Sequence, residues 1–276
     1  NQKLVNIIDA EGNTREFEYD FLGRRTESED LHASEDTTFG VWEYQYDDVG
    51  NLTRRTDPRG TVVRYTYDDL NRVETEDDIS QSGIEVNYTY DTCTNGIGLL
   101  CSVANAAVTT SYEYYPHGLV ENESRIIAGT TYDTGFVYDR QGNTTDVTYP
   151  DDVTTSYAFN NAGFAESITH GTSTVVTNID YAPIGQMSYM VYGNGDETTY
   201  THDAQELYRL RNIQTVNGTN TLQDLTYTYD TVGNITNVVD VSDTNTAKTV
   251  GYTYDDLYRL TDVAVTDAAN GDNYTR

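Results

Sequence analysis

Lysine is almost missing from this chain: among 276 residues only Lys3 and Lys248 occur. With arginine the cations reach 16 against 45 Asp and Glu, a formal net charge of −29. A field of that sign repels phosphate backbones and anionic lipid head groups, which excludes nucleic acid as a partner. It suits surroundings rich in salt or divalent cations, which screen self-repulsion. Long apolar runs are absent too. The most apolar stretch, Leu99 to Val108, is broken by Ser102 and Asn105, well short of the roughly 20 residues a membrane helix needs. Histidine is sparse, and His32, His117, His170 and His202 stand singly. No Ser, Cys or carboxylate signature sets a base beside a nucleophile, so no catalytic residue is named and no enzyme is expected.

What the chain does have is tyrosine, 25 of them, together with much Thr, Val and Asn. These residues favour pleated strands and turns over helix, so the expected class is all-β with almost no helix. One phrase recurs from end to end: aromatic, any residue, aromatic, Asp, two residues, Gly, polar residue. It is clearest at Phe17-Glu-Tyr19-Asp20-Phe-Leu-Gly23-Arg24, Tyr44-Gln-Tyr46-Asp47-Asp-Val-Gly50-Asn51 and Tyr227-Thr-Tyr229-Asp230-Thr-Val-Gly233-Asn234. Near-copies carry Tyr67-Asp68, with Asn71 in the Gly position, and Tyr254-Asp255, with Tyr258 there. Aligning the second aromatic gives eleven copies, at Tyr19, Tyr46, Tyr67, Tyr90, Tyr114, Tyr138, Phe159, Tyr181, His202, Tyr229 and Tyr254, spaced 21 to 27 residues apart. That spacing holds two strands and two turns.

The phrase explains itself chemically. Aromatics at i and i+2 share one strand face while the residue between them, often Thr, faces the other way. The following Asp (Asp20, Asp47, Asp68, Asp91, Asp139, Asp230, Asp255) can bond turn amides, and Gly23, Gly50, Gly142 and Gly233 can take positive φ. Each repeat therefore reads as a β-hairpin, marginal alone but stable when hairpins pair edge to edge, with the tyrosines buried as a ladder of packed rings. Copies drift in the middle, where Tyr115-Pro116 follows Tyr114, Asn160 follows Phe159 and His202 replaces a Tyr.

Eleven copies in register resemble the YD-repeat, or Rhs-repeat, family of polymorphic toxins, toxin-complex shells, wall-associated proteins and teneurins. The resemblance covers nearly all of residues 1–276 and makes them one YD-repeat array, expected to be part of a longer chain or assembly. It implies tandem hairpins in a continuous curved or spiral β-strip, which in full-length members closes into a hollow shell. The family's core-closing DPxGL-like segment has no match: in Asp57-Pro58-Arg59-Gly60 the Leu is replaced by Thr61, and the phrase reads as a turn.

Outside the motif, Cys93 and Cys101 flank a Gly-containing turn within one repeat. A local disulfide in an oxidising compartment is the first reading, two buried free thiols the second. Zinc would need more ligands than two cysteines supply. No cofactor is expected, with calcium left as an option: the acidic pairs at the turns and the cluster Asp267, Asn270 and Asp272 offer oxygens without the spacing of a calcium loop. Seven Asn-x-Ser/Thr sequons, including Asn51, Asn143 and Asn234, reflect an Asn- and Thr-rich composition as much as any glycosylation.

The expected function is an extracellular or cell-surface structural β-scaffold, as a segment of a shell-forming surface protein or a subunit of a filament. Its expected partners are adjacent repeats or identical subunits, joined by edge-strand pairing. The alternative is an adhesin whose exposed Tyr and Asp bind glycans, with no membrane span in either case.

Overall fold

The computed structural model describes residues 3–242, 247–267 and 273–275, of which Asp267 and 273–275 are described in backbone only. Every described element is a strand, and no helix occurs among the described residues. The chain divides into two compact units, Asn1–Gly135 and Phe136–Arg276.

In the first unit the strands are β1 (Asn6–Ile8), β2 (Asn13–Tyr19), β3 (Arg25–Glu29), β4 (His32–Ala33), β5 (Val41–Tyr46), β6 (Leu52–Thr56), β7 (Val62–Tyr67), β8 (Val73–Asp78), β9 (Val86–Tyr90), β10 (Leu100–Ala104), β11 (Val108–Tyr114) and β12 (Val120–Ile127), with β13 (Thr130–Tyr138) leading out of it. Apart from β4, which pairs with the start of β2, each strand pairs antiparallel with the next along the chain. The second unit repeats the plan from β14 (Thr144–Thr148) to β25 (Asn273–Thr275), including β20 (Arg209–Asn217), β21 (Asn220–Tyr229), β22 (Ile235–Asp240), β23 (Lys248–Tyr254) and β24 (Leu260–Asp267). Within each unit a strand touches only its ladder neighbours. Each unit is thus a single-layer sheet of tandem hairpins, the expected all-β repeat plan.

The lack of a second layer corrects one expectation. Phe17, Val62, Cys101, Tyr114, Val176 and Ile179 are buried, but no large side chain among the described residues is fully buried. Tyr46, Tyr229 and Tyr254 are half-buried. Rings on a one-layer sheet are covered from the sides by neighbouring strands and left open from above. Their stabilising contacts must therefore run sideways along the sheet.

Turn chemistry follows the motif closely. In the β5–β6 hairpin the Gly50 amide donates to the Asp47 carbonyl at 3.2 Å and the Asp47 amide to the Asn51 carbonyl at 2.9 Å. Gly50 has a φ of 104°, so a turn followed by a left-handed residue closes a three-residue loop. A one-residue register shift follows between Gln45 and Tyr46. The same shift falls at Glu18/Tyr19, Thr66/Tyr67, Thr228/Tyr229 and Thr253/Tyr254. A bulge at the second aromatic is thus part of the repeat, and it turns that ring toward the preceding hairpin. Asp57-Pro58-Arg59-Gly60 makes the same loop at the opposite edge, with Gly60 donating to the Asp57 carbonyl at 2.9 Å.

Candidate functional site: the junction between repeats

The chemistry of this molecule is concentrated where one hairpin meets the next. The second motif tyrosine donates its phenolic proton to a backbone carbonyl in the return strand of the previous repeat. Tyr46 reaches Arg25 at 2.8 Å, Tyr67 reaches Leu52 at 2.8 Å, Tyr90 reaches Val73 at 3.0 Å and Tyr114 reaches Leu100 at 2.6 Å. In the second unit Tyr181 reaches Ala165 at 2.8 Å, Tyr229 reaches Leu210 at 2.7 Å and Tyr254 reaches Ile235 at 2.9 Å. Tyr19 makes the equivalent bond to Leu4 at 2.8 Å. Apart from Leu4, which precedes β1, each accepting residue lies at a bulge that frees its carbonyl from the ladder, and the phenol fills the vacancy. Burial raises the phenol pKa of Tyr46, Tyr67, Tyr114 and Tyr229, so these groups stay protonated as donors.

A second stitch runs the other way, from the residue after the left-handed turn position, held by Gly23, Asn71 or Tyr208. Arg24 donates from Nε to its own Asp20 at 2.6 Å and from Nη1 to the Asp47 carbonyl of the next turn at 2.7 Å. Its guanidinium lies 4.9 Å from the Tyr46 ring centroid. Arg72 holds Asp68 through Nε at 2.7 Å, grips Asp91 of the next turn through Nη1 at 3.1 Å and Nη2 at 2.5 Å, and covers the Tyr90 ring at 4.3 Å. Arg209 donates to the Asp230 carbonyl at 2.9 Å and lies over Tyr229. Where Asn replaces Arg the reach is shorter: Asn51 bonds Asp47 at 3.0 Å and Asn71 of the next turn at 2.8 Å. A planar guanidinium supplies several donors and a flat face together, which suits this double contact. Sequence reasoning placed Arg24 in the motif as its polar residue without giving it this role and did not single out Arg209, although the alternation of Arg and Asn directly after the left-handed turn position was a visible signal.

The motif aspartates cap their turns. Asp230 accepts the amides of Val232, Gly233 and Asn234 at 3.0, 2.7 and 2.8 Å and the Asn234 side chain at 2.8 Å. Asp139 is held likewise by Gln141 and Asn143, with Gly142 completing its turn. Asp255 takes Leu257 and Arg259. The Arg72 side chain holds Asp91 down at about 2, the Arg72 amide lowers Asp68, and the Arg259 amide lowers Asp255. The acidic turns are therefore occupied by their own backbone. At sequons Asn51, Asn143 and Asn234 the amide nitrogen is likewise engaged by the motif Asp. In the degenerate copy Asn160 does the same backbone work, accepting from Ala162 at 2.9 Å and Phe164 at 3.1 Å.

Cys93 and Cys101 are joined by a disulfide within the first unit, their Cα atoms 5.4 Å apart. It braces an enlarged turn that reaches the next repeat. Thr94 accepts the Tyr114 amide at 3.1 Å, and Asn95 donates to the Tyr114 carbonyl at 2.6 Å. This two-point clamp stands beside a copy that has no Asp, since Tyr115 follows Tyr114.

Three of the four histidines are engaged in local packing and hydrogen bonds. His32 stacks on Phe39, His117 on Tyr115, and His170 bonds Thr155 at 2.8 Å. Among the described residues no three His, Cys, Asp or Glu converge to hold a metal ion. The calcium candidates Asn270, Asp272 and the side chain of Asp267 lie outside the described residues. No described helix is long and apolar enough to cross a membrane.

Comparison with known proteins agrees with this architecture. A probable deoxyribonuclease RhsB from Dickeya dadantii (strain 3937) is 44% identical over 77 residues, 26% of this chain and 5% of the relative. The toxin subunit YenC1 of Yersinia entomophaga is 40% identical over 67 residues, 22% of this chain and 7% of the relative. This chain thus spans only a small part of those proteins. In the crystal structure of TcdB2-TccC3-Cdc42 the same fold covers 98% of this chain and 18% of that chain, with a TM-score of 0.70 at 17% identity. Residues 46–82, which hold the Tyr46 and Tyr67 motifs and the stitch between them, match the RHS Repeat family, so this stretch of the chain is of the YD, or Rhs, repeat type.

Proposed function

We propose that this chain is a wall segment of a shell-forming extracellular or surface protein, a structural part without catalysis of its own. The observation that carries the reading is the repeated clasp: a phenol reaching back and a guanidinium or amide reaching forward, at successive junctions of a one-layer sheet. A one-layer sheet has little core, and its stability accumulates from neighbour to neighbour, as in other repeat arrays. Such a construction suits a wall whose two faces both meet solvent. The disulfide and the acidic, Lys-poor surface support an oxidising, extracellular setting. The nuclease named for the Dickeya relative belongs to that protein, of which this chain matches 5%.

Two measurements test the proposal. Negative-stain imaging of the full polypeptide from its natural source should show hollow particles, and fibres or solid globules would overturn the shell reading. Incubating the chain with duplex DNA should leave the DNA intact, whereas cleavage lost on mutating a residue of this chain would overturn the non-catalytic reading.

A further inference from the structure

One junction of the second unit departs from the clasp. At the place of the second motif tyrosine stands Phe159, a ring without a hydroxyl. Elsewhere, as between β6 and β7, the ladder ends at Arg54↔Arg64 and the Leu52 carbonyl beyond it takes the Tyr67 phenol. The pairing of β14 with β15 (Thr154–Phe159) ends likewise at Asp146↔Ser156. Beyond it lies Thr144, two residues after Gly142 as Leu52 is after Gly50, and Phe159 brings its carbonyl no phenol. The same junction is short of aliphatic side chains. The residue two after the left-handed turn position, the one whose carbonyl is clasped, is aliphatic in eight of the eleven copies, as at Leu52, Val73, Leu210 and Ile235. Thr144 and Ala165 are the shorter exceptions, in consecutive copies, on the strands that flank Phe159. His202, the other copy without a phenol, keeps Met187 and Leu210 at these two places. Beside Phe159 the shortening leaves an open pocket of about 440 Å³, lined by Phe136, Val147, Tyr157 and Phe159 together with Thr144 and Ala165.

We infer that this pocket binds a small uncharged phenol, its ring among Phe136, Tyr157 and Phe159 and its hydroxyl donating to the Thr144 carbonyl. The chemistry is the one the other junctions satisfy from within the chain, where a tyrosine phenol donates to the equivalent carbonyl, at 2.8 Å for Tyr67 and 2.7 Å for Tyr229. Three aromatic walls suit an aromatic body. The volume lies in the range of small-molecule sites, which pair an apolar lining with a few polar anchors. A carbonyl anchor selects a ligand that donates a hydrogen bond over one that only accepts. The net charge of −29 selects against a carboxylate or phosphate on the ligand.

p-Cresol and toluene are the side chains of tyrosine and phenylalanine as free molecules, and NMR titration of the intact chain with each tests the inference. One p-cresol should bind per chain, about fivefold more tightly than toluene, the ratio that one neutral hydrogen bond supplies. Ala165→Leu restores the usual aliphatic and should weaken both compounds roughly tenfold or more. Thr144→Leu, filling the pocket from the other strand, should act alike. Phe159→Tyr supplies the phenol from within and should abolish the preference for p-cresol. All three variants return the junction to the common repeat pattern, so their melting temperatures should match or exceed that of the parent, which separates lost binding from lost folding. The control His202→Tyr, at the other copy without a phenol, should bind like the parent. No saturable binding of p-cresol, equal affinity for the two compounds, or undiminished binding by both Leu variants would each overturn the inference. A preference for p-cresol that survives Phe159→Tyr, or that is lost in His202→Tyr, would overturn it as well.

Discussion

The phenol of Tyr229 donates to the carbonyl of Leu210 at 2.7 Å, joining a strand end to the return strand of the hairpin before it. This bond ties adjacent repeats through one side chain and one backbone atom, independently of the sheet ladder. Tyr229→Phe keeps the ring and deletes the bond, and should cost about 1 kcal/mol. Tyr229→Ala should cost about 2–3 kcal/mol, less than the 3–5 typical of a fully buried aromatic, because the ring is open from above. Urea unfolding of the two variants measures both, and a Tyr229→Phe variant as stable as the parent would show that the hydroxyl contributes nothing beyond the ring.

The left-handed turn position gives a paired prediction. Tyr258 occupies it with a φ of 61°, and its side chain is 61% exposed, so little packing is lost on removing it. Tyr258→Gly should stabilise the chain by about 1 kcal/mol. Gly50→Ala should destabilise by a similar amount; an added Cβ there meets nothing within 4 Å, so backbone strain is the whole effect. Thermal melts of the two single variants, shifting in opposite directions, are the expected outcome.

Acid should loosen the junctions. Asp91, held down at about 2 by Arg72, and Asp68, lowered by the Arg72 amide, have folded pKa values below the unfolded 3.8. Their contribution is fully present above that unfolded value and is lost as pH falls toward about 2. Melting temperatures followed from pH 5 downward should drop through this window, and Asp91→Asn should flatten the drop. A parallel curve for the variant would remove Asp91 from the acid response.

Alkali acts on the opposite class of group. Burial, helped by the hydrogen bond to Glu76, pushes Tyr88 up to about 12. A folded pKa above the unfolded 10 contributes stability below pH 10 that disappears as pH rises through about 12. Ultraviolet titration of the phenolates should show a late-ionising fraction that Tyr88→Phe diminishes.

The disulfide can be read chemically. Without reductant the intact chain should take up no alkylating reagent, and after reduction it should take up two equivalents, at Cys93 and Cys101. Reduction should also speed hydrogen exchange at the Tyr114 amide, which bonds the Thr94 carbonyl of the braced turn. Exchange at the Tyr254 amide, in the other unit, serves as the unaffected control.

How much of this was legible in the sequence follows from where the information sits. Tyr-x-Tyr-Asp-x-x-Gly encodes a shared ring face, a capped turn and a left-handed residue within one short phrase, so the hairpins could be derived from local rules. Ring burial was overestimated because a ladder of rings was expected to cover itself, and nothing in a strand's own pattern says how far a one-layer sheet leaves its rings open from above. The Tyr-to-carbonyl clasps depend on the bulge between residues such as Thr228 and Tyr229, which only the strand register reveals. The Thr94 and Asn95 clamp on Tyr114 was equally hidden, since it depends on how an irregular turn folds over its neighbour.

Each tyrosine clasp points toward the N-terminus: Tyr67 seeks Leu52, Tyr90 seeks Val73, and neither waits for anything later in the chain. A polypeptide emerging N-terminus first from a ribosome or a secretion channel can thus lock each hairpin onto the one just completed. Contacts so close in sequence carry little loop-closure cost, so assembly proceeds as a ratchet of short steps. Arg24 and Arg72 wait on the finished hairpin with donors already aimed at the turn to come. The direction of synthesis is, in that sense, written into the direction of the hydrogen bonds.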